Sequence, residues 1–273
     1  MGERTSADRF KCRLISGEAM LGTFMKVPAS QNCEVLGLEG FDFVVLDEEH
    51  APWNRDTLDR ALLACRAYDI AGLVRVARDD ASSVLSALDS GAAGVMVPHV
   101  DSAEKARQVV SWARYIGGQR GSGSSRGGEY GGRGEDNYRV SDALATVICM
   151  IEDHGALRAA GDIAAIEGVD GLFLGRADLA LSLQNAEGPA PTVKEAVELV
   201  VAAAQAAGKP ALAVVQSLDS DEARWLLDLG LNSLMVASDL GLLRQAASSA
   251  IADFRLAVDR RNEGRPMTSG MHA

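Results

Sequence analysis

Cysteine is scarce in this chain, with four in 273 residues. Cys12, Cys33, Cys65 and Cys149 lie far apart and form no C-x-x-C pair, which excludes a zinc knuckle and a dense disulfide scaffold and leaves reduced thiols. Basic clusters are also missing. The 27 Lys and Arg residues are scattered among 38 Asp and Glu, a net charge of −11. Such a surface repels phosphate backbones and anionic lipid, so neither nucleic acid nor membrane is an expected partner. No apolar run approaches the ~18 residues of a membrane helix. Residues Met1 to Arg13 mix Arg4, Arg9 and Lys11 with Glu3 and Asp8 and lack the apolar core of a signal peptide, so a cytoplasmic location is expected.

What the chain does have is alternation. Short apolar runs recur, each followed by a longer segment of helical spacing, the mark of βα units around a parallel sheet. The strands expected are Leu21-Met25, Phe43-Leu46, Leu73-Val76, Gly94-Pro98, Val147-Ile151, Gly171-Leu174, Ala211-Val215 and Ser233-Ala237, nearly all apolar, as strands covered on both faces must be. The helices between them are expected near Gln31-Leu38, Arg55-Tyr68, Ala81-Ser90, Ala103-Tyr115, Ala156-Ile166, Lys194-Ala207, Asp221-Leu229 and Leu240-Val258. Eight such units predict an α/β (β/α)8 TIM barrel, a fold that uses about 250 residues as one domain. A doubly wound open sheet would carry a G-x-G-x-x-G turn after its first strand, where this chain has Lys26-Val27-Pro28.

The expected organisation is a single barrel domain over residues 1–259 and a flexible tail over 260–273. An insertion at 117–134 holds nine glycines in eighteen residues, with Arg120, Arg126 and Arg133 among them. It reads either as a mobile loop or as one whose amides and arginines meet an anionic ligand or another subunit.

Barrel enzymes place chemistry at the C-terminal ends of the strands. There the sequence puts Asp47-Glu48-Glu49-His50, Arg75, His99, Glu152-Asp153-His154 and Gly175-Arg176-Ala177-Asp178. Glu152 follows an uninterrupted apolar run and enters the mouth poorly solvated. With Asp178 it forms a pair suited to a hard divalent cation, although Asp178, ahead of Leu179-Ala180-Leu181, also reads as a helix cap. Arg75 sits inside a strand, where its charge needs an anion: a neighbouring carboxylate, a substrate carboxylate or an enolate oxygen. His50 is suited to take a proton if Asp47 holds its other ring nitrogen, and reads equally as a capping or solvated histidine. His99 and His154 have no evident orienting partner.

The string from Phe41 to Pro52 (FDFVVLDEEHAP), with Val74-Arg75-Val76, Gly94 to Pro98, Gln119-Arg120-Gly121, Met150-Ile151-Glu152 and Gly171 to Leu179 (GLFLGRADL), resembles the HpcH/HpaI aldolase family. The ordered match spans residues 20 to 255. The resemblance implies a phosphoenolpyruvate/pyruvate-type TIM barrel, assembled as a homohexamer with an exchanged terminal helix. It further implies metal-dependent aldol cleavage or condensation of a small 2-oxo acid and an aldehyde through a pyruvate enolate. By the same resemblance Glu152 and Asp178 bind Mg2+ or Mn2+, with Co2+ or Zn2+ as alternatives, and Arg75 holds the keto or enolate oxygen. His50 is then the acid/base with Asp47 beside it, the amides near Ala177 and Asp178 receive the substrate carboxylate, and Asp89 reaches a neighbouring subunit's site. Two departures stand out: Arg176 replaces a proline and Met150 a glutamine. Arg176 adds a cation at the mouth that would suit a strongly anionic second substrate.

Two rivals share these residues: a citrate-forming condensation of oxaloacetate with an acetyl donor, and a non-catalytic barrel that binds a keto acid. A lysine imine mechanism is disfavoured, because Lys26, Lys105, Lys194 and Lys209 do not fall at the ends of middle strands.

Overall fold

The computed structural model describes residues 5–263. Eight parallel strands close into a barrel in sequence order, β1 to β8. They are β1 Met20–Met25, β2 Phe43–Asp47, β3 Ala71–Arg75, β4 Gly94–Val97, β5 Thr146–Ile151, β6 Gly171–Leu174, β7 Ala211–Val215 and β8 Ser233–Ser238. Each expected strand is present with ends moved by two residues or fewer. Residues alternate about the barrel wall. Phe24, Phe43, Val45, Leu73, Met96, Ile148, Met150, Phe173, Leu212 and Met235 fill the interior, while the outward positions pack under the helices. Gly22 is required there, since a Cβ at that position would overlap the Phe43 ring.

Helices differ more from expectation. The segment Ser6–Ser16 is a helix that the charge-rich sequence concealed. Phe10 and Leu14, one turn apart, are its buried residues, and both join the barrel-interior cluster at the N-terminal pole. The helix expected at Ala156-Ile166 is instead a 3-10 segment, His154–Ala159, followed by a short α-helix, Ala160–Ala164; Gly155 and Gly161 weaken longer helix there. A further helix, Arg176–Gln184, follows β6 directly. The last helix runs Asp239–Glu263, so the tail expected from residue 260 begins inside a helix, and its remainder lies outside the described residues. Among the described residues no helix is long and apolar enough to cross a membrane.

The Gly-rich segment is tied down by this chain's own carboxylates. Arg120 meets Asp89 at 2.9 Å and Arg126 meets Asp59 at 2.9 Å, while Glu129 of the segment meets Arg66 at 3.0 Å. A shallow concavity lies beside it, bordered by Ser6 of the first helix and by Gly72, Ala93 and Ala145 near the N-terminal ends of the strands. That is the pole opposite the one where barrel chemistry resides.

At this N-terminal pole Asp170 accepts the Val147 N–H at 2.8 Å and faces Lys11 at 3.3 Å and Arg114 at 3.7 Å. Burial lowers the pKa of Lys11, and the Asp170 charge opposes that shift. Asp170→Asn would leave two half-buried cations without their anion. It is expected to destabilise the protein by about 3 kcal/mol, read as a lowered urea midpoint. A loss below about 0.5 kcal/mol would make the pair a mere surface contact.

Candidate active site

Alternation along the strands decides which side chains reach the mouth. Counting inward positions from the core gives Met20, Gly22, Phe24 and then Lys26. The same count gives Phe43, Val45 and Asp47; Ala71, Leu73 and Arg75; and Ile148, Met150 and Glu152. Lys26, Asp47, Arg75 and Glu152 therefore form the top inward layer of the barrel.

Pairing of β1 with β2 and of β2 with β3, where Asp47 registers against Arg75, turns this layer into an ion-pair network. Arg75 grips Asp47 with a fork, Nε to Oδ1 at 2.8 Å and Nη2 to Oδ2 at 2.7 Å. Its Nη1 lies 3.3 Å from Glu49, and its guanidinium stacks 4.8 Å over the Phe24 ring. Lys26 Nζ donates to the same Oδ2 of Asp47 that Arg75 Nη2 meets. Burial alone would raise the Asp47 pKa, but the hydrogen bonds and charges of Arg75 and then Lys26 hold it below the usual carboxylate range. The guanidinium itself loses hydration, yet Asp47, Glu49 and Glu152 keep it more firmly protonated than in water. Of the partners the sequence left open for Arg75, a neighbouring strand's carboxylate is the one observed.

Glu152 stands on the facing side of the mouth, 2% exposed. It accepts the His99 backbone N–H at 2.8 Å. Burial raises its pKa; the His99 N–H and ring charge oppose this, and the charges of Glu49 and Asp178 add to it. Met150, one inward position below, makes the floor apolar, which is the structural effect of that departure. Gly175 leaves the space that Glu152 fills, since a Cβ there would collide with the carboxylate. Asp178 is in the first turn of Arg176–Gln184, whose cap position is Gly175 with no side-chain bond to the turn. Asp178 is therefore not the cap, and the amides of Ala177 and Asp178 sit in an uncapped, anion-attracting first turn.

Two expectations need correction. Asp47 accepts the backbone N–H of His50 at 3.2 Å and does not hold its ring, because both carboxylate oxygens are committed to Arg75 and Lys26. The His50 ring is 55% exposed, with Nε2 3.8 Å from Glu49. Arg176 lays its guanidinium on Glu222 and the Val214 carbonyl, so its cation is neutralised before a substrate arrives. Asp89 ends the helix Ala81–Asp89 and pairs with Arg120. Helices return antiparallel to the strands, so Asp89 lies at the pole away from this chain's own mouth.

Two residues that sequence reasoning undervalued belong to the mouth. His99 is held at φ 53°, a conformation that costs energy for a non-glycine residue and clusters at functional sites. Its Nδ1 is 3.0 Å from Asp153 and its Nε2 3.8 Å from Glu49. Lys26 was discounted for lying outside the middle strands, yet its place in the count Met20-Gly22-Phe24-Lys26 was readable.

Among the described residues no group of three or more His, Cys, Asp or Glu is arranged to hold a metal ion. Two carboxylates do fit a hard cation that completes its shell with water and substrate oxygens. The mutual repulsion of Glu152, Glu49 and Asp178 is what such a cation would relieve.

Fold and mouth together define a (β/α)8-barrel enzyme with a carboxylate-rich, arginine-bearing site. The profile of the HpcH/HpaI aldolase/citrate lyase family matches residues 21–246, and the chain belongs to that family. It is 34% identical over 250 residues to the 5-keto-4-deoxy-D-glucarate aldolase of Klebsiella pneumoniae subsp. pneumoniae, covering 91% of this chain and 97% of the relative. Among solved structures it is similar to an HpcH/HpaI aldolase/citrate lyase family protein from Burkholderia cenocepacia J2315, with a TM-score of 0.84, 29% identity, and 91% and 99% of the two chains covered. It is also similar to the citrate synthase SbnG, with a TM-score of 0.79, 31% identity, and coverages of 91% and 98%. The chain is thus an enzyme of an aldolase and lyase family.

Proposed function

We propose that the chain is a divalent-metal-dependent aldolase that cleaves or forms 4-hydroxy-2-oxo acids through a pyruvate enolate. The observation that carries this reading is the buried Arg75 fork, fixed by Asp47 and set across one mouth from Glu152 and Asp178. Glu152 and Asp178 would hold the cation, which when bound would supply Lewis-acid charge to the 2-oxo acid. Arg75 provides a second, preorganised positive group for the oxygen that becomes an enolate. The first-turn amides of Ala177 and Asp178 receive the substrate carboxylate.

In the cleavage direction the exposed His50 imidazole takes the proton of the 4-hydroxyl, with Glu49 beside its ring. The C3–C4 bond breaks, an aldehyde leaves, and the remaining enolate is protonated at carbon to give pyruvate. The relatives named 5-keto-4-deoxy-D-glucarate aldolase support this substrate class.

Assembly as a homo-oligomer, with the last helix covered by another subunit, belongs to the same reading. Leu243, Ile251 and Phe254 on that helix are each more than half exposed in the single chain.

The test is pyruvate release from a racemic 4-hydroxy-2-oxo acid after chelator treatment. Release restored by added Mg2+ or Mn2+ is the expected outcome. Its absence with both ions would reject the aldolase reading. The likeness to SbnG favours one alternative, citrate-type condensation, which incubation with oxaloacetate and acetyl-CoA would reveal.

A further inference from the structure

Lys26 has no part in the steps above, yet it is built into the mouth with care. Its backbone N–H and that of Val27 donate to the two oxygens of Asp239, at 2.8 and 3.0 Å, and Asn32 Nδ2 donates to the same carboxylate at 3.0 Å. Asp239 is 8% exposed and begins the last helix. The end of β1 is therefore clamped to the helix that follows β8, and the direction of the Lys26 side chain is fixed. Along that direction Nζ passes 5.7 Å from the Phe24 ring and reaches Asp47.

An ammonium carries three donors. Asp47 takes one of them, and the side chain remains 26% exposed, so the rest open into the mouth. Two other cations at the strand ends have other work, Arg75 serving the keto oxygen of the 2-oxo acid in the reading above. Arg75 gives both arms of its fork to Asp47 and sets Nη1 against Glu49, while Arg176 is turned to Glu222 and the Val214 carbonyl.

Position adds to this. Glu152 and Asp178, which follow β5 and β6, occupy one side of the mouth together with the uncapped first turn after β6. Lys26 follows β1, on the far side of Asp47 and Arg75. A 2-oxo acid lying between Glu152, Asp178 and Arg75 leaves its second carbon–carbon partner to the β1 side.

We propose that Lys26 binds the anionic group of the second reactant and makes the enzyme selective for aldehydes that carry a carboxylate. This rests on the aldolase reading and assigns it a residue that selects the second reactant. It also returns to Lys26 the role the sequence had suggested for Arg176. No covalent bond to Lys26 is involved; Nζ acts as a fixed, charged hydrogen-bond donor beside Asp47. Hydrogen bonds to charged groups of this kind correspond to about 10- to 100-fold in affinity.

The experiment compares wild type, Lys26→Met and Lys26→Arg in the metal-supplemented condensation of pyruvate with succinic semialdehyde and with butanal, a neutral aldehyde of equal length. In Lys26→Met the ratio of kcat/KM for the acidic over the neutral aldehyde is expected to fall by about 10-fold or more, with the change in KM. Lys26→Arg should recover most of the ratio. A ratio unchanged in Lys26→Met, or equal losses on both aldehydes, would overturn the proposal and leave Lys26 only as a support for Asp47. Lys26→Gln, which keeps a donor without the charge, reads the same ratio should the methionine variant fail to fold. If wild type condenses neither aldehyde, the aldolase reading has failed. Calorimetric titration of succinic semialdehyde into wild type and variant then still decides the role of Lys26. Weaker binding by about 10-fold in the variant supports it, and equal binding rejects it.

Discussion

Arg75→Ala is expected to lower turnover by on the order of 100-fold or more, the usual cost of removing one preorganised charge from a developing oxyanion. The loss should appear in kcat, because the guanidinium matters most when charge accumulates on the keto oxygen. A stability change comes with it. Asp47 is fully buried, and without the fork it keeps only Lys26 and the His50 amide. Breaking such a buried pair costs about 3 to 5 kcal/mol, so activity must be measured below the lowered melting temperature.

The pH dependence of the variant separates the two effects. The folded-state pKa of Asp47 is depressed, so its contribution to stability is complete above the unfolded carboxylate pKa and is lost as pH falls through the folded value. Arg75→Ala removes the largest source of that depression. Acid unfolding should therefore begin at a higher pH in the variant than in wild type. Lysine at position 75 is not a conservative control, since it cannot reproduce the bidentate grip. Near wild-type kcat in Arg75→Ala would remove the residue from the mechanism.

Glu152→Gln is expected to act in opposite directions on function and stability. The side chain is nearly isosteric and keeps an oxygen for the His99 N–H, so the fold should persist. The negative charge is gone, however, and with it the affinity for a hard cation. Turnover should fall on the order of 100-fold or more, and calorimetric titration with Mn2+ should show weakened binding. In the absence of metal, an ionised carboxylate enclosed by Met150, Gly175 and two further carboxylates is a cost to folding. Removing it should raise the melting temperature of the metal-free protein. A variant that binds Mn2+ like wild type would exclude Glu152 as a ligand, whatever its activity.

The local patterns were legible because they are local. Within the repeated βα alternation, an apolar run such as Val147-Ile148-Cys149-Met150-Ile151 reads as a strand buried on both faces, and Glu152 one step beyond it emerges at the end. Asp47 was found by the same rule, Arg75 as a charge inside a strand, and Asp178 in the loop just past one. The helix Ser6–Ser16 was missed because two apolar residues, Phe10 and Leu14, carry its whole buried face among charged neighbours. His99 was passed over because its left-handed backbone and its contact with Asp153 leave no mark on the residues around it.

Partner choice was the part that sequence did not reach. His50 lies three residues from Asp47, yet the aspartate takes Arg75, 28 positions away in the chain, and Lys26, 21 positions away. Arg176 sits beside the mouth in sequence and turns to Glu222 and a β7 carbonyl instead.

By itself the sequence determined the eight βα units, the family and the set of polar residues at the strand ends, since alternation and apolar content act over a few neighbouring residues. Only the tertiary structure decided which of those charges neutralise one another and which remain available. Closing the barrel brings β1, β2 and β3 side by side, and electrostatic pairing depends on distances that exist only once the strands have met.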